Sequence, residues 1–193
     1  MAGVYYRFAA SLGLMIVLCA AGPLEQQLPD VHLVNQRGEP VMFYTDLVKG
    51  KVVIVNTFFT TCTTICPRMG SSFSRLEQRL EQSDRPDIFL ISISVDPLND
   101  TPGRLKEFAE KFRAGSRWTL LTGSKADVDR VLTSLNFSVG DKLSHTSLLK
   151  ALDDQTSRQT WIGGADWYTR LPEELVNMIC SFAPREGRPR AHP

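Results

Sequence analysis

Residues 52–67 read VVIVNTFFTTCTTICP, and the parsing of that stretch decides the fold. Val52 to Phe59 is an eight-residue run dominated by β-branched and aromatic side chains, too short to span a membrane. Such a run fits a strand buried on both faces, as in a sheet covered by helices. It ends in Thr60 and Thr61, followed by two cysteines four residues apart, Cys62 and Cys66. Pro67 comes next, and proline suits the first turn of a helix, where an N–H would have no intrahelical partner. From Pro67 to Gln82, Met69, Phe73, Leu76 and Leu80 recur at helical spacing and form one apolar stripe. The parse is buried strand, short loop with two thiols, helix. The positive end of a helix favours thiolate over thiol, and the thiolate is both nucleophile and metal ligand.

Read from the residues alone, the cysteine pair has three interpretations. A structural disulfide is one, but so short a loop gains only about 2 kcal/mol on the chain-entropy model, against about 4.7 kcal/mol for a hundred-residue loop. Two unlinked thiols acting as small buried hydrophobes are another. The third is a functional dithiol, which the strand–loop–helix placement favours.

The chain has 193 residues, 42% hydrophobic and 22% charged, as expected of one globular domain with a real core. Its 22 lysines and arginines nearly balance 21 aspartates and glutamates, for a formal charge of +1. That balance argues against a nucleic-acid partner. The basic, proline- and glycine-rich residues 184–193 read as a disordered tail. Residues 1–21 read as a signal peptide: Arg7 gives a positive start, Phe8 to Ala21 is apolar or small, and Cys19-Ala20-Ala21-Gly22 offers small residues for cleavage. The run is short for a membrane span, so cleavage is favoured over an uncleaved anchor, which would tie the protein to the membrane. Bulky Leu18 argues against lipidation at Cys19. Export would place the protein in an oxidising compartment, in the periplasm or facing it at the inner membrane. Cys180, among Leu175, Val176 and Ile179 of a C-terminal helix, reads as a buried inert thiol.

Elsewhere, helices and strands alternate. Val31–Val34 and Val41–Tyr44 flank the turn signal Asn35-Gln36-Arg37-Gly38 and suggest an N-terminal hairpin. Ile88–Val95 is a second buried strand, ending in Asp96-Pro97. Thr101 caps a helix with Leu105, Phe108, Ala109 and Phe112 on its apolar face. Trp118–Leu121 is a short strand, and Ser124 with Asp127 resembles a capping box. Ser147–Leu152 and Arg158–Ile162 form a hairpin, and a last helix begins near Pro172. The expected fold is α/β, a thioredoxin-like three-layer sandwich spanning residues 28–183, with a central mixed sheet and the N-terminal hairpin as an extension. In open α/β sheets chemistry gathers at the carboxyl ends of strands, and Cys62, Cys66 and Asp96 would meet there. His145 directly precedes the Ser147–Leu152 strand, where thioredoxin-like folds bring a loop against such cysteines. Two thiolates and an imidazole make a soft three-coordinate site that suits Cu(I) and can hold Cu(II); closed structural zinc sites want a fourth ligand.

Four segments taken together resemble one family. They are Phe59-Thr60-Thr61-Cys62-Thr63-Thr64-Ile65-Cys66-Pro67, Ser92-Ile93-Ser94-Val95-Asp96-Pro97, Asp100-Thr101-Pro102, and Trp118-Thr119-Leu120-Leu121-Thr122-Gly123. In that order they are similar to the SCO/SenC family of exported, thioredoxin-like copper proteins, from about Leu28 to Ile162. The resemblance implies copper bound by Cys62, Cys66 and His145. It also implies a role in assembling the dinuclear copper centre of cytochrome c oxidase, with that enzyme's copper-centre subunit as partner. Asp96 matches the family's VDP aspartate, for which a position behind the ligands, one facing a partner, or simple turn capping are the alternatives. Many relatives carry proline or an acidic residue after Cys-Pro where this chain has Arg68, which would lower the thiol pKa or face a partner. His32 and His192 match no motif.

Two functions follow from the resemblance. The first is a copper metallochaperone, a binding and delivery protein rather than a turnover enzyme. The alternative is a thiol–disulfide reductase, in which Cys62 and Cys66 form the catalytic redox pair, keep the target's cysteines reduced and draw electrons from a thiol reductant protein. A peroxiredoxin would need threonine three residues before the first cysteine, where this chain has Phe59.

Overall fold

The computed structural model describes residues 22–137 and 147–184. The expected signal peptide with Cys19, the candidate ligand His145, and residues 185–193 with His192 lie outside the described residues. Among the described residues no helix is long and apolar enough to cross a membrane.

One seven-stranded mixed sheet organises the chain, in the order β2-β1-β5-β4-β3-β6-β7. Beside its central strand β4 lies β3 (Val52–Phe58), every residue of which is buried. β3 runs parallel to β4 (Ile88–Ser94), and β4 runs parallel to β5 (Trp118–Thr122). On the other side β3 pairs antiparallel with β6 (Leu149–Asp153), which forms a hairpin with β7 (Arg158–Ile162). The N-terminal hairpin, β1 (His32–Asn35) and β2 (Pro40–Met42), joins the opposite edge through antiparallel pairing of β1 with β5. Gly38, at φ +78°, supplies its left-handed turn position.

Alternation along β3 feeds two cores. Val52, Ile54 and Phe58 pack with α2 (Cys66–Glu81), α3 (Pro102–Phe112) and α5 (Pro172–Phe182). Val53 and Val55 pack on the other face with α4 (Lys125–Ser134) and with Leu24 of the short α1 (Leu24–Gln27). A strand buried on both faces is dominated by apolar residues, which is why its sequence shows no polar alternation; its buried Asn56 is satisfied by accepting from Ser92 Oγ at 2.6 Å. The expected stripe of α2 is buried in full: Met69, Phe73, Leu76 and Leu80 are at most 1% exposed. Both expected caps form. Thr101 Oγ1 accepts from Arg104 N–H at 3.4 Å, and Ser124 Oγ accepts from Asp127 N–H at 3.1 Å.

Two details differ from the sequence reading. The second hairpin strand stops at Met42, and Phe43–Val48 forms a π-helical turn instead of continuing it. Asp30 explains the change: its Oδ1 accepts from both Tyr44 N–H and Thr45 N–H at 3.0 Å, so those amides cannot serve a strand ladder. Cys180 is half-buried rather than buried, and Arg85 Nη1 lies 3.4 Å from its sulfur.

Candidate metal centre

β3 delivers the chain to the carboxyl edge of the sheet, and the thiol loop begins immediately after it. Phe59 is buried, and its carbonyl accepts from Cys62 N–H at 3.2 Å, which closes the loop into a turn. Helix α2 starts at Cys66 itself, one residue before Pro67, and its capping residue Ile65 supplies no side-chain cap. A sulfur fills that place. Cys66 N–H points at Cys62 Sγ over 3.4 Å, and Thr64 Oγ1 lies 3.6 Å from the same sulfur. Cys62 therefore occupies the acceptor position that Ser, Thr or Asp usually takes at a helix start.

This placement splits the two thiols. Burial pushes Cys62 up, but hydrogen bonds from the Cys66 side chain and backbone, and then from Thr64, outweigh it and bring the thiol down from 9.0 to about 7. Burial pushes Cys66 up to about 12, helped by its hydrogen bond to Cys62 and by the nearby charges of Cys62 and Asp100. Near neutrality the site thus holds one partly ionised sulfur lining a cleft and one protonated, more deeply buried sulfur beneath it. Both cysteines are free. A soft cation that displaces the second proton would find two converging sulfur donors, so the donor set fits a thiophilic metal such as copper. Among the described residues no cluster of three His, Cys, Asp or Glu side chains is spaced to hold a metal ion. The third donor expected from the sequence, His145, lies outside them. His32 sits exposed on β1, separated from β3 by β5 and β4, and stays out of the site.

Behind the loop lies a buried polar network. Asp100 is fully buried. Its two carboxylate oxygens lie 3.2 Å from Thr60 N–H, one also accepts from Thr60 Oγ1, and the other accepts from Ser94 Oγ at 2.6 Å. One side chain thereby ties the start of the thiol loop to the end of β4. Asp96 shapes the turn that carries Asp100. Its carbonyl accepts from Asn99 N–H and Asp100 N–H, and its Oδ1 accepts from Asn99 Nδ2 at 2.8 Å. Of the alternatives for Asp96, turn capping is the one these contacts describe.

A family profile described as SCO1/SenC matches residues 24–174. This chain belongs to the SCO1/SenC family. The SCO1 protein homolog of Bacillus subtilis (strain 168) is 34% identical over 124 residues, 60% of this chain and 63% of that protein. The matched part is thus less than two thirds of that relative's length. Among solved structures, a SCO1/SenC family lipoprotein from Bacillus anthracis superposes with a TM-score of 0.68 at 27% identity, covering 81% of this chain and 94% of that one. Bradyrhizobium japonicum ScoI, solved with copper bound, superposes with a TM-score of 0.63 at 26% identity, covering 78% of this chain and 96% of that one. The fold is the thioredoxin-like sandwich of this family, as the order of strands and helices had suggested.

The sequence reading brought Cys62, Cys66 and Asp96 to one edge, and the structure places them there. It assigned no role to Asp100, although the residue lies inside a quoted motif. The available signal was an acidic residue just before a helix cap, which is ordinarily a solvated side chain; only the fold shows that Thr60 and Ser94 surround it.

Proposed function

We propose that this protein binds one copper ion as cargo through Cys62, Cys66 and His145 and delivers it to the dinuclear copper centre of cytochrome c oxidase. The single observation that carries the reading is the paired-sulfur geometry at the start of α2, within a fold that a copper-loaded relative shares. The unequal thiols suit delivery. Cys62, the more readily ionised of the two near pH 7, can capture the ion first, and ligation then displaces the proton of Cys66. Transfer would proceed by exchange of these sulfurs for those of the acceptor. Metal analysis of protein purified from the exported fraction should find one copper per chain. Cys62→Ser, Cys66→Ser and His145→Ala should each lose it. Full retention by His145→Ala removes that residue from the site. Export into the periplasm, with or without an uncleaved membrane anchor at residues 1–21, belongs to the same proposal, supported by the apolar run Phe8–Ala21 after Arg7.

The same thiol asymmetry favours a second reading, a thiol–disulfide reductase. The low-pKa sulfur of Cys62, which lines the cleft, would attack, and the more deeply buried sulfur of Cys66 would resolve the mixed disulfide. Reduction potential and copper affinity together separate the two. A strongly reducing pair with weak copper binding selects the reductase; tight copper with slow disulfide exchange selects the chaperone.

A further inference from the structure

The net charge of +1 hides an uneven distribution around the thiols. Two clefts share a wall at Pro67. One, of about 270 Å³, is lined by Cys62 and carries Arg104 and Lys111 on its rim, with Glu107 as its one acidic side chain. The other, of about 480 Å³, is lined by Arg68, Arg75 and Tyr168 and contains no acidic side chain. All four cations are exposed. Each is held by an uncharged group. Arg68 lies over the Tyr168 ring, Arg75 donates to Ser72 Oγ, Arg104 donates to the Asn99 carbonyl, and Lys111 lies over the Phe112 ring. Among the described residues none of the four has an ion-pair partner. Some other cations differ: Arg79 of α2 pairs with Glu173, and Arg170 pairs with Asp166. The four positive charges facing the clefts therefore keep their field, and the positive end of α2 adds to it.

We infer that these two clefts form a docking surface for an acidic segment of a partner protein, whose carboxylates settle beside Arg68, Arg75, Arg104 and Lys111 while its own sulfur meets Cys62. The inference rests on Cys62 and Cys66 being the exchange site, whether copper or electrons pass there. Charge complementarity selects the partner. Arg68 and Arg75 are seven residues apart on one helix, two turns, and offer forked donors that match carboxylate geometry. Steering by such a patch raises encounter rates with anionic partners and is strongest in dilute salt.

The test uses reduced, metal-free full-length protein and short cysteine peptides flanked by aspartates, glutamines or lysines. Each peptide sulfur is capped as a mixed disulfide with thionitrobenzoate. The Cys62 thiolate attacks the peptide sulfur and forms a protein–peptide disulfide. The old disulfide breaks, and the coloured thionitrobenzoate thiolate leaves with the electron pair. At low ionic strength the aspartate peptide should react about tenfold faster than the glutamine peptide, and the lysine peptide slowest. High salt should collapse the spread, as the screening length falls from about 30 Å at 0.01 M to about 3 Å at 1 M. Neutralising all four residues to glutamine should erase the aspartate advantage, whereas neutralising Lys49 and Lys125 should not. If the fourfold variant melts abnormally, the pairs Arg68→Gln/Arg75→Gln and Arg104→Gln/Lys111→Gln test each cleft alone. Equal rates for the three peptides overturn the inference, as does an aspartate advantage that survives neutralisation. Unordered peptide rates, together with loss of binding to phosphatidylglycerol vesicles in the same variants, would assign the patch to a membrane and also overturn it. Copper capacity is measured separately, so failure of the copper reading leaves the peptide order standing, and the reverse.

Discussion

Replacing Asp100 with alanine should cost more than any other change near the thiols that leaves the sulfurs in place. The substitution strips the acceptor from Thr60 N–H, Thr60 Oγ1 and Ser94 Oγ at once. Bonds to an ionised acceptor contribute about 1.5–3 kcal/mol each, but Thr60 is only half-buried, so water can replace part of its share. Ser94 is fully buried, and water has no ready path to it. The net cost is about 4 kcal/mol, which for a domain of this size lowers the melting temperature by about 8–16 °C. A Ser94→Ala control loses the donor to Asp100 and the acceptor of Asp96 N–H at 3.0 Å, and should cost about 2 kcal/mol. The loop should also loosen, weakening the Cys66 N–H bond to Cys62 Sγ and moving the Cys62 thiol from about 7 back toward its ordinary 9.0. Thermal melting by circular dichroism and the pH profile of Cys62 alkylation measure the two effects. An unchanged melting temperature would refute the role given to Asp100. A large loss of stability with an unchanged alkylation profile would show that the network supports the sheet but not the thiol loop.

Three further outcomes are expected. In reduced, metal-free protein, alkylation of Cys62 should rise with pH through a midpoint near 7, because the thiolate is the reacting form, while Cys66 should stay unreactive until far more alkaline pH; mass-spectrometric mapping that places the Cys62 midpoint near 9 would contradict the hydrogen-bond argument. Gly70→Ala should destabilise by about 2 kcal/mol in denaturant titration, since a Cβ there would sit 2.9 Å from ring atoms of Phe112; a gain in stability, as helix propensity alone would give, refutes the packing. Cys180→Ala should leave copper capacity and the alkylation profile of Cys62 unchanged, because its neighbour is Arg85 and not the thiol loop; altered copper capacity would bring it into the site.

The elements whose reason is local were legible in the sequence. β3 declared itself by β-branched residues, α2 by its apolar stripe, and α3 and α4 by their capping residues. What escaped depends on residues far apart in the chain. The π-helical turn at Phe43–Val48 exists because Asp30 takes two of its amides, a contact across about fourteen residues that no local pattern encodes. Lys150 interrupts an apolar strand in the sequence, yet it is only 4% exposed. Its ammonium lies 4.4 Å from the centre of the Trp161 ring, on the paired strand β7. An aromatic face accepts a cation there, and neither residue alone announces it. At the site, the sulfurs were visible as a spacing, whereas their inequality was not: it follows from which sulfur meets the helix amide and which is enclosed.

The loop that carries the sulfurs hangs from an interior strand of the sheet. β3 is registered with β4 along all seven of its residues and with β6 along four, and its side chains feed both cores. Opening it means parting the whole molecule, so its amides should be among the last to exchange with heavy water, and those of β2 and β7 at the margins should exchange sooner. A visitor tugging at the thiols, or pairing with an outer strand, pulls against an anchor that gives way only when everything else has.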